Sequence, residues 1–307
     1  MSAPLLDATE VSRALVRPGS LWREVRVAGQ TGSTNADLLA LAGEGAAEGT
    51  VLVAEAQTAA RGRMGRRWVS PPGAGLTFSV LLRPGAVPGA ALGWVPLLAG
   101  VAAVSAIRAV TSVDATLKWP NDVLAGGAKL GGILAERAGG AIVLGIGINV
   151  SQRRADLPAA AATSLLLAGA AAGGAGAGPA AAAGAGLAAG AGGDAGAAGA
   201  EAAGGGAAGD AADGGLRAPL LVASLTALSD WYLAWRDQAS PGDADACGLR
   251  RRYARLCATL GREVTVTLPG GEVITGLADG VDRAGRLEVR AAGKVVPVSA
   301  GDVLHVR

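Results

Sequence analysis

Between about Ala168 and Gly215 the chain is almost wholly alanine and glycine, with no aromatic residue and only Asp194, Glu201, Asp210 and Asp213 charged. Glycine loses the most backbone freedom on ordering and alanine buries little area in return, so this stretch cannot offset the entropy of folding. It is expected to be an insertion without fixed structure, with the foldable sequence on either side. Its Gly-x-Gly repeats follow no strand and keep no regular period, which excludes a dinucleotide fingerprint or a collagen helix there.

The 307 residues suffice for one large and one small domain, or two of medium size. Before the insertion, apolar and β-branched runs at Thr50 to Ala54, Leu76 to Leu82 and Ala141 to Val150 predict strands, and Ala36 to Ala42 and Pro96 to Val110 predict helices. After it, Leu221, Leu225, Leu228, Trp231, Tyr232 and Trp235 recur at helical spacing within Pro219 to Leu260, a buried helical face followed by another helix. From Gly261 the pattern becomes short alternating segments, Glu263 to Leu268, Glu272 to Ala278, Arg286 to Arg290 and Lys294 to Val298. Turns at Pro269-Gly270-Gly271 and Ala284-Gly285 separate them, as in a small antiparallel barrel. The boundary is placed near Thr259.

Charge and composition exclude several classes. Lys plus Arg number 27 against 25 Asp plus Glu, a net +2, too little for a generally basic nucleic-acid-coating surface, so any cationic site is local. Cys247 and Cys257 have neither C-x-x-C spacing nor histidine partners, which argues against a disulfide framework or zinc site and fits a reducing cytoplasm. Met1 to Arg13 carries Asp7 and Glu10 and no continuous apolar core, so no signal peptide is expected. Mean hydropathy is +0.39 but derives largely from alanine, and no Leu/Ile/Val/Phe-dominated run of membrane-spanning length is apparent, so a soluble protein without a membrane partner is expected. His305 is the only histidine and falls in the last strand, a structural position that leaves Ser-His and Cys-His mechanisms without material.

Three segments carry chemistry. Gln57 to Trp68 holds Arg61, Arg63, Arg66 and Arg67 interleaved with Gly62 and Gly65. Glycine lets backbone N-H groups approach an anion, and guanidinium forks grip carboxylate or phosphate. Alone, the segment reads equally as a solvated basic loop or an RNA-binding Arg-Gly stretch. Lys118-Trp119-Pro120-Asn121-Asp122, followed by Lys129 to Glu136, reads as a turn projecting polar side chains from a strand end, or as an ordinary hairpin turning at Ala125-Gly126-Gly127. In Gly145-Ile146-Gly147-Ile148-Asn149-Val150, glycines fall on one alternating strand face, which marks close approach of a ligand or another backbone.

In this order and spacing, Ser33-Thr34-Asn35, Gln57 to Trp68, Lys118 to Asp122, Lys129 to Leu134 and Gly145 to Asn149 resemble the biotin-protein ligase family. Its pattern runs Ser-Thr-Asn, Gln-x-x-Gly-Arg-Gly-Arg-x-Gly-Arg-x-Trp, Lys-Trp-Pro-Asn-Asp, Lys-Leu-x-Gly-Ile-Leu and Gly-x-Gly-x-Asn. The likeness covers about Gly32 to Val150 and is weaker in Trp231 to Gly261 and Ser299 to Val303. It implies an α+β fold, a mixed sheet with flanking helices of class II synthetase-like type, as a catalytic domain over 1–258, with an SH3-like β-barrel over 259–307.

The resemblance implies ATP-dependent activation of biotin to biotinyl-5′-AMP and transfer to a lysine of the biotin carboxyl carrier domain of an acyl-CoA carboxylase. ATP with Mg²⁺ is the co-substrate. Ser33, Thr34, Asn35 and Gln57 would line the biotin ring pocket, where hydroxyl and amide groups suit a neutral ureido ring; Ser33-Thr34-Asn35 also reads as a helix N-cap. Arg61, Gly62 and Arg63 would close over the ligand, and Lys129, Gly131, Gly132 and Leu134 would flank it. Arg63, Trp68, Gly145, Gly147 and Asn149 would lie toward the nucleotide. Arg63 and Lys129, supported by Lys118, would neutralise the reacting anions, and Asp122 would orient or deprotonate the incoming lysine. Ala60 stands at the family's first loop glycine, a substitution without strain at negative φ but strained at positive φ. Thr163-Ser164-Leu165 matches the family, but the Ala/Gly insertion replaces the charged segment that the family carries after it. Only about 30 residues precede Ser33, fewer than the winged-helix domain of the members that repress transcription, so no DNA binding is expected. The alternatives are a lipoate or octanoate ligase or transferase and, remotely, a non-catalytic RNA-binding module.

Overall fold

The computed structural model describes residues 6–68, 71–158, 161–170 and 215–306. The expected unstructured insertion falls almost wholly on 171–214, outside the described residues. In chain order the elements are α1 (Ala8–Leu15), β1 (Glu24–Ala28), α2 (Thr34–Gly43), β2 (Thr50–Ala54), β3 (Gly75–Leu82), α3 (Trp94–Val110), β4 (Ala115–Lys118), β5 (Asp122–Ala125), β6 (Ala128–Ala138) and β7 (Ala141–Asn149). After the insertion come α4 (Arg217–Arg236), α5 (Leu249–Leu256), β8 (Glu263–Thr267), β9 (Val273–Val281), β10 (Leu287–Ala291), β11 (Lys294–Val298) and β12 (Asp302–His305).

Seven strands form a mixed sheet in the order β1-β2-β3-β7-β6-β5-β4, with only β1 and β2 parallel. The order follows from short connections: β4, β5, β6 and β7 are successive antiparallel neighbours. Gly126 and Gly127, both at positive φ, turn β5 into β6 in two residues, a conformation that side-chain-bearing residues adopt at a cost. Ile142, Leu144, Ile146 and Ile148 of β7 join the main core with α3 and α4, while Val143 packs with Leu38 of α2 and Leu81 of β3 on the opposite face. Helix α3 therefore sits inside the fold, between the sheet and α4. By length and apolarity Gly89–Val110 could cross a membrane, which composition had not revealed, yet this segment is mostly buried within the protein.

The C-terminal segments form an all-antiparallel sheet, β11-β10-β9-β8-β12, the four alternating segments joined by the last strand expected at His305. Its Val264, Val266, Leu287 and Val289 belong to the same core cluster as α3 and α4. The indoles of Trp94 and Trp119 donate to Arg283 O (3.0 Å) and Gly285 O (3.3 Å) in the turn between β9 and β10, seating this sheet beside the β4-β5 turn. That β4-β5 turn contains a cis Trp119-Pro120 peptide.

Helix α4 begins with a buried ion pair. Arg217 bonds Glu55 just after β2, both side chains only 3% exposed, and its Nε also donates to Gly75 O at 3.1 Å, while the other Glu55 oxygen accepts from Leu6 N at 2.7 Å. Removing one member of such a pair leaves a buried charge uncompensated. Arg217→Met should lower the unfolding free energy by about 3–5 kcal/mol in urea titrations, and adding Glu55→Gln should recover part of the loss. An unchanged midpoint would show that the pair does not anchor α4.

Candidate active site

The functional cavity follows from side-chain alternation on the central strands. With the Ile/Leu positions of β7 committed to the core, its other face presents Gly145, Gly147 and Asn149, paired with Ser79, Thr77 and Gly75 of β3, and on the other side Gly145 and Gly147 pair with Leu134 and Gly132 of β6. The glycines leave room for two side chains from elsewhere. A Cβ on Gly145 would lie 2.3 Å from Asn35 Oδ1, and one on Gly147 would lie 2.8 Å from the Trp68 ring. The close approach predicted for this strand is thus made by Asn35 and Trp68. Above them opens a cavity of about 380 Å³.

At one end, Ser33 caps α2 as expected, its Oγ accepting from Ala36 N at 3.5 Å, and Ser33, Thr34 and Asn35 also line the cavity. Thr34 N and Oγ1 donate to Gln57 Oε1 at 2.8 and 3.2 Å. Asn35 Nδ2 donates to Glu136 Oε2 at 2.8 Å and to Leu134 O at 3.3 Å, and Asn35 Oδ1 accepts from the fully buried Ser79 hydroxyl at 2.6 Å. These bonds fix a polar wall of hydroxyls and amides. Ser79 escaped the sequence reading, although hydroxyls at Thr77 and Ser79, on one face of the otherwise apolar run Leu76 to Leu82, are its signal.

Over the cavity lies the arginine loop. Arg61 pairs with Arg67, Gly62 N donates to Arg66 O at 2.6 Å and Trp68 N to Ala60 O at 3.0 Å, closing a small hairpin. Its tip takes positive φ at Met64 and Gly65; Ala60 is not among the described non-glycine residues at positive φ and is buried, so the substitution there introduces no strain. Arg63 Nη1 donates to Asn121 Oδ1 at 3.3 Å, and Asn121 Nδ2 in turn donates to Ile133 O at 2.9 Å. Burial pulls the Arg63 guanidinium below its ordinary pKa; the charge of Arg66 adds to this, while Asp302 and Asp122 oppose it. It remains a cation, because guanidinium starts far above neutral pH.

Lys118 stands across from Asp122 in the β4-β5 ladder, and Asp122 Oδ1 holds Lys129 Nζ at 2.5 Å. The Lys129 backbone is fixed by Ala161 O and Thr163 N at 2.7 and 2.8 Å. The segment around Thr163-Ser164-Leu165 also occupies the Asn149 amide: Nδ2 donates to Thr163 O at 2.8 Å, and Oδ1 accepts from Gln152 Nε2 at 3.2 Å.

The cavity gathers Ser33, Thr34, Asn35, Gln57, Arg61, Gly62, Arg63, Trp68, Lys118, Asp122, Lys129, Gly132, Leu134, Gly145, Gly147 and Asn149. Gly131, expected to flank a ligand, does not line it; Gly131 pairs with Ile148 on the core-facing parity, and a Cβ there would meet Gly147 O at 2.6 Å, so it serves strand packing. From the C-terminal sheet, Gly301 to Leu304 reach the cavity and Asp302 binds Arg66 at 2.5 Å, a contribution absent from the residues expected at the site. His305 has its pKa lowered by burial and by the charges of Lys118 and Arg262, and its Nε2 lies 3.2 Å from Thr259 Oγ1.

Residues 29–152 match the Biotin/lipoate A/B protein ligase family, and residues 259–306 match the Biotin protein ligase C terminal domain. The biotin-(acetyl-CoA-carboxylase) ligase of Mycobacterium tuberculosis is 39% identical over 308 residues, covering 99% of this chain and 97% of that protein. The bifunctional ligase/repressor BirA of Escherichia coli is 40% identical over 129 residues, which is 40% of each chain. In fold, the chain is similar to the biotin protein ligase from Aquifex aeolicus in complex with biotin and ATP, with a TM-score of 0.65 at 24% identity over 93% of this chain and 100% of that one. With a relative of this identity along nearly its whole length, the chain belongs to the biotin protein ligase family.

Proposed function

We propose that this protein activates biotin with ATP as biotinyl-5′-AMP and transfers the biotinyl group to a lysine of the biotin carboxyl carrier domain of an acyl-CoA carboxylase. The observation that carries the reading is one cavity with a hydroxyl-and-amide wall at Ser33, Thr34, Asn35 and Gln57 and a cationic end at Arg63 and Lys129. A ureido ring offers both donors and an acceptor to such a wall. The dithiolane ring of lipoate offers neither and forgoes such bonds, each worth about 0.5–1.5 kcal/mol net.

In the first step a biotin carboxylate oxygen attacks the α-phosphorus of ATP and pyrophosphate leaves. Two anions must meet: at an effective dielectric of about 20, one unit-charge pair 4 Å apart repels by about 4 kcal/mol. Arg63 and Lys129 supply the opposing charge, Arg61 and Lys118 add to it, and Arg61 with Gly62 encloses the ligand. Asp122 orients the Lys129 ammonium. Trp68, backed by Gly132 and Gly147, offers a flat wall to the nucleotide, and Asn149, through Thr163, steadies the backbone that carries Lys129. Mg²⁺ would be carried by the triphosphate, with Asp302 and Asp122, which both line the cavity, as the carboxylates that would hold its water shell.

In the second step the acceptor amine attacks the biotinyl carbonyl, the carbon–oxygen bond to phosphate breaks and AMP leaves. With a pKa of about 10.4, only on the order of one lysine in a few thousand is neutral at pH 7. The second Asp122 oxygen takes the proton of the incoming amine. The reading divides the chain into a catalytic domain, 1–258, and a C-terminal domain, 259–307, and places it in a reducing cytoplasm, where Cys247 and Cys257 stay free thiols.

Incubation with ATP, Mg²⁺ and biotin should yield biotinyl-5′-AMP by mass spectrometry; pyrophosphate release with lipoate but none with biotin would overturn the reading. Arg63→Ala and Lys129→Ala should each slow biotin-dependent pyrophosphate release by about 10²–10³ without lowering the melting temperature appreciably. Wild-type rates from either would remove that residue from catalysis. Gly147→Val displaces the Trp68 indole and should raise the KM for ATP on the order of tenfold, about 1.4 kcal/mol, in steady-state pyrophosphate assays. An unchanged KM would dissociate Trp68 from the nucleotide.

A further inference from the structure

Beside the cavity runs a strip of cations that, apart from Lys118 at its cavity end, adenylation does not use. Helix α5 buries Leu249, Tyr253 and Leu256 and exposes Arg251 and Arg255, one turn apart, with Arg252 partly exposed. Arg262 is exposed just beyond, its N-H donating to Thr259 O at 3.3 Å. The chain between is fastened to the cavity wall: Cys257 bridges Leu117, Ala258 N donates to Leu117 O at 2.7 Å, and Thr259 Oγ1 accepts from Trp119 N at 3.1 Å. Leu117 and Trp119 flank Lys118, which lines the cavity. His305 joins the same anchor, its Nε2 3.2 Å from Thr259 Oγ1. The cations thus run from α5 across Arg262 to Lys118 at the cavity.

None of Arg251, Arg252, Arg255, Arg262 and Lys118 has a carboxylate in ion-pair contact among the described residues, whereas neighbouring Arg250 and Arg283 both reach Asp245. Helix stability does not explain them. Arg255 in the last turn complements the helix dipole, but Arg251 and Arg252 near the N-terminus oppose it. Along the same edge, Leu304 and Val306 of the β12 segment are 64% and 50% exposed, and Leu304 lines the cavity. An apolar pair rimmed by unpaired cations has the makeup of a protein-docking surface.

We infer that this strip docks an acidic face of the acceptor protein, with carboxylates on Arg251, Arg255 and Arg262 while the target lysine passes Leu304 into the cavity. The inference rests on the ligase reading. Its chemical reason is that the target lysine is itself a cation approaching a cavity lined by Arg61, Arg63, Lys118 and Lys129. An acceptor with flanking carboxylates offsets that repulsion and is steered to the right edge.

The test separates the two half-reactions. R251E/R255E/R262E should raise the KM for a purified biotin carboxyl carrier domain about tenfold or more and reduce the salt dependence of transfer, since screening acts on the same pairs. R251Q/R255Q/R262Q should give a smaller change in the same direction. Biotinyl-5′-AMP formation should stay within about twofold of wild type, as none of the three arginines lines the cavity, and it also reports folding. Wild-type acceptor KM and salt response in both variants would overturn the inference, as would loss of poly(U) RNA binding with acceptor KM unchanged. Absence of biotinyl-5′-AMP formation by the wild-type protein would instead strike the ligase reading.

Discussion

Around Gly145 and Gly147, strand β7 carries bulk on only one of its faces. Ile142, Leu144, Ile146 and Ile148 fill the core, and on the other parity the absence of side chains at Gly145 and Gly147 lets Asn35 and Trp68 lie against the backbone. Each of these anchors a separate part of the cavity. Asn35 fixes the first turn of α2, and with it Ser33, Thr34 and the bonded Gln57; Trp68 fixes one arm of the arginine hairpin. Both ends of the site therefore take their positions from one strand's alternation. Parity is unforgiving, since a one-residue slip exchanges the two faces completely.

The electrostatic arrangement follows the same economy. Arg63 is held by the Asn121 amide oxygen, a dipole, so its charge stays available to an incoming anion. Lys129 is held by a carboxylate, which fixes the ammonium more firmly but cancels part of its field. Burial makes an uncompensated guanidinium costly, visible in the lowered Arg63 pKa. That cost is the counterpart of preorganisation: a cation fixed in a partly desolvated site needs little rearrangement when negative charge arrives.

Legibility from sequence tracked how local each determinant is. Strands β3 and β7, the Gly126-Gly127 turn and α3 were readable because β-branched runs, turn glycines and apolar periodicity are written in consecutive residues. Strand β1 was not, because Glu24 and Arg26 give an edge strand a polar surface. Family motifs named most of the residues that line the cavity; the Gly131-Gly132 pair has no side chain to disclose which residue faces it, and only the β6-β7 register turns Gly132 that way. Ser79 and Asp302 were missed for a different reason. Their roles depend on partners 44 and 236 positions away, brought close by sheet register and by the seating of the C-terminal sheet.

That seating explains why the C-terminal sheet matters to a loop it does not resemble. The arginine hairpin has a local shape, set by the Arg61–Arg67 pairing and the Gly62 N to Arg66 O bond. Its position over the cavity is non-local: Trp68 below rests on β7, and Asp302 from β12 holds Arg66. The surface pair Arg66–Asp302 alone is worth little, on the order of 0–1 kcal/mol. It acts because β12 is already fixed, through a core continuous with α3 and through Trp94 and Trp119 donating to the turn between β9 and β10. A weak contact from a rigid support can place a flexible loop, since the ordering entropy of the support has been met elsewhere in the fold. The C-terminal sheet thus contributes a position for the arginines, and the chemistry remains with them.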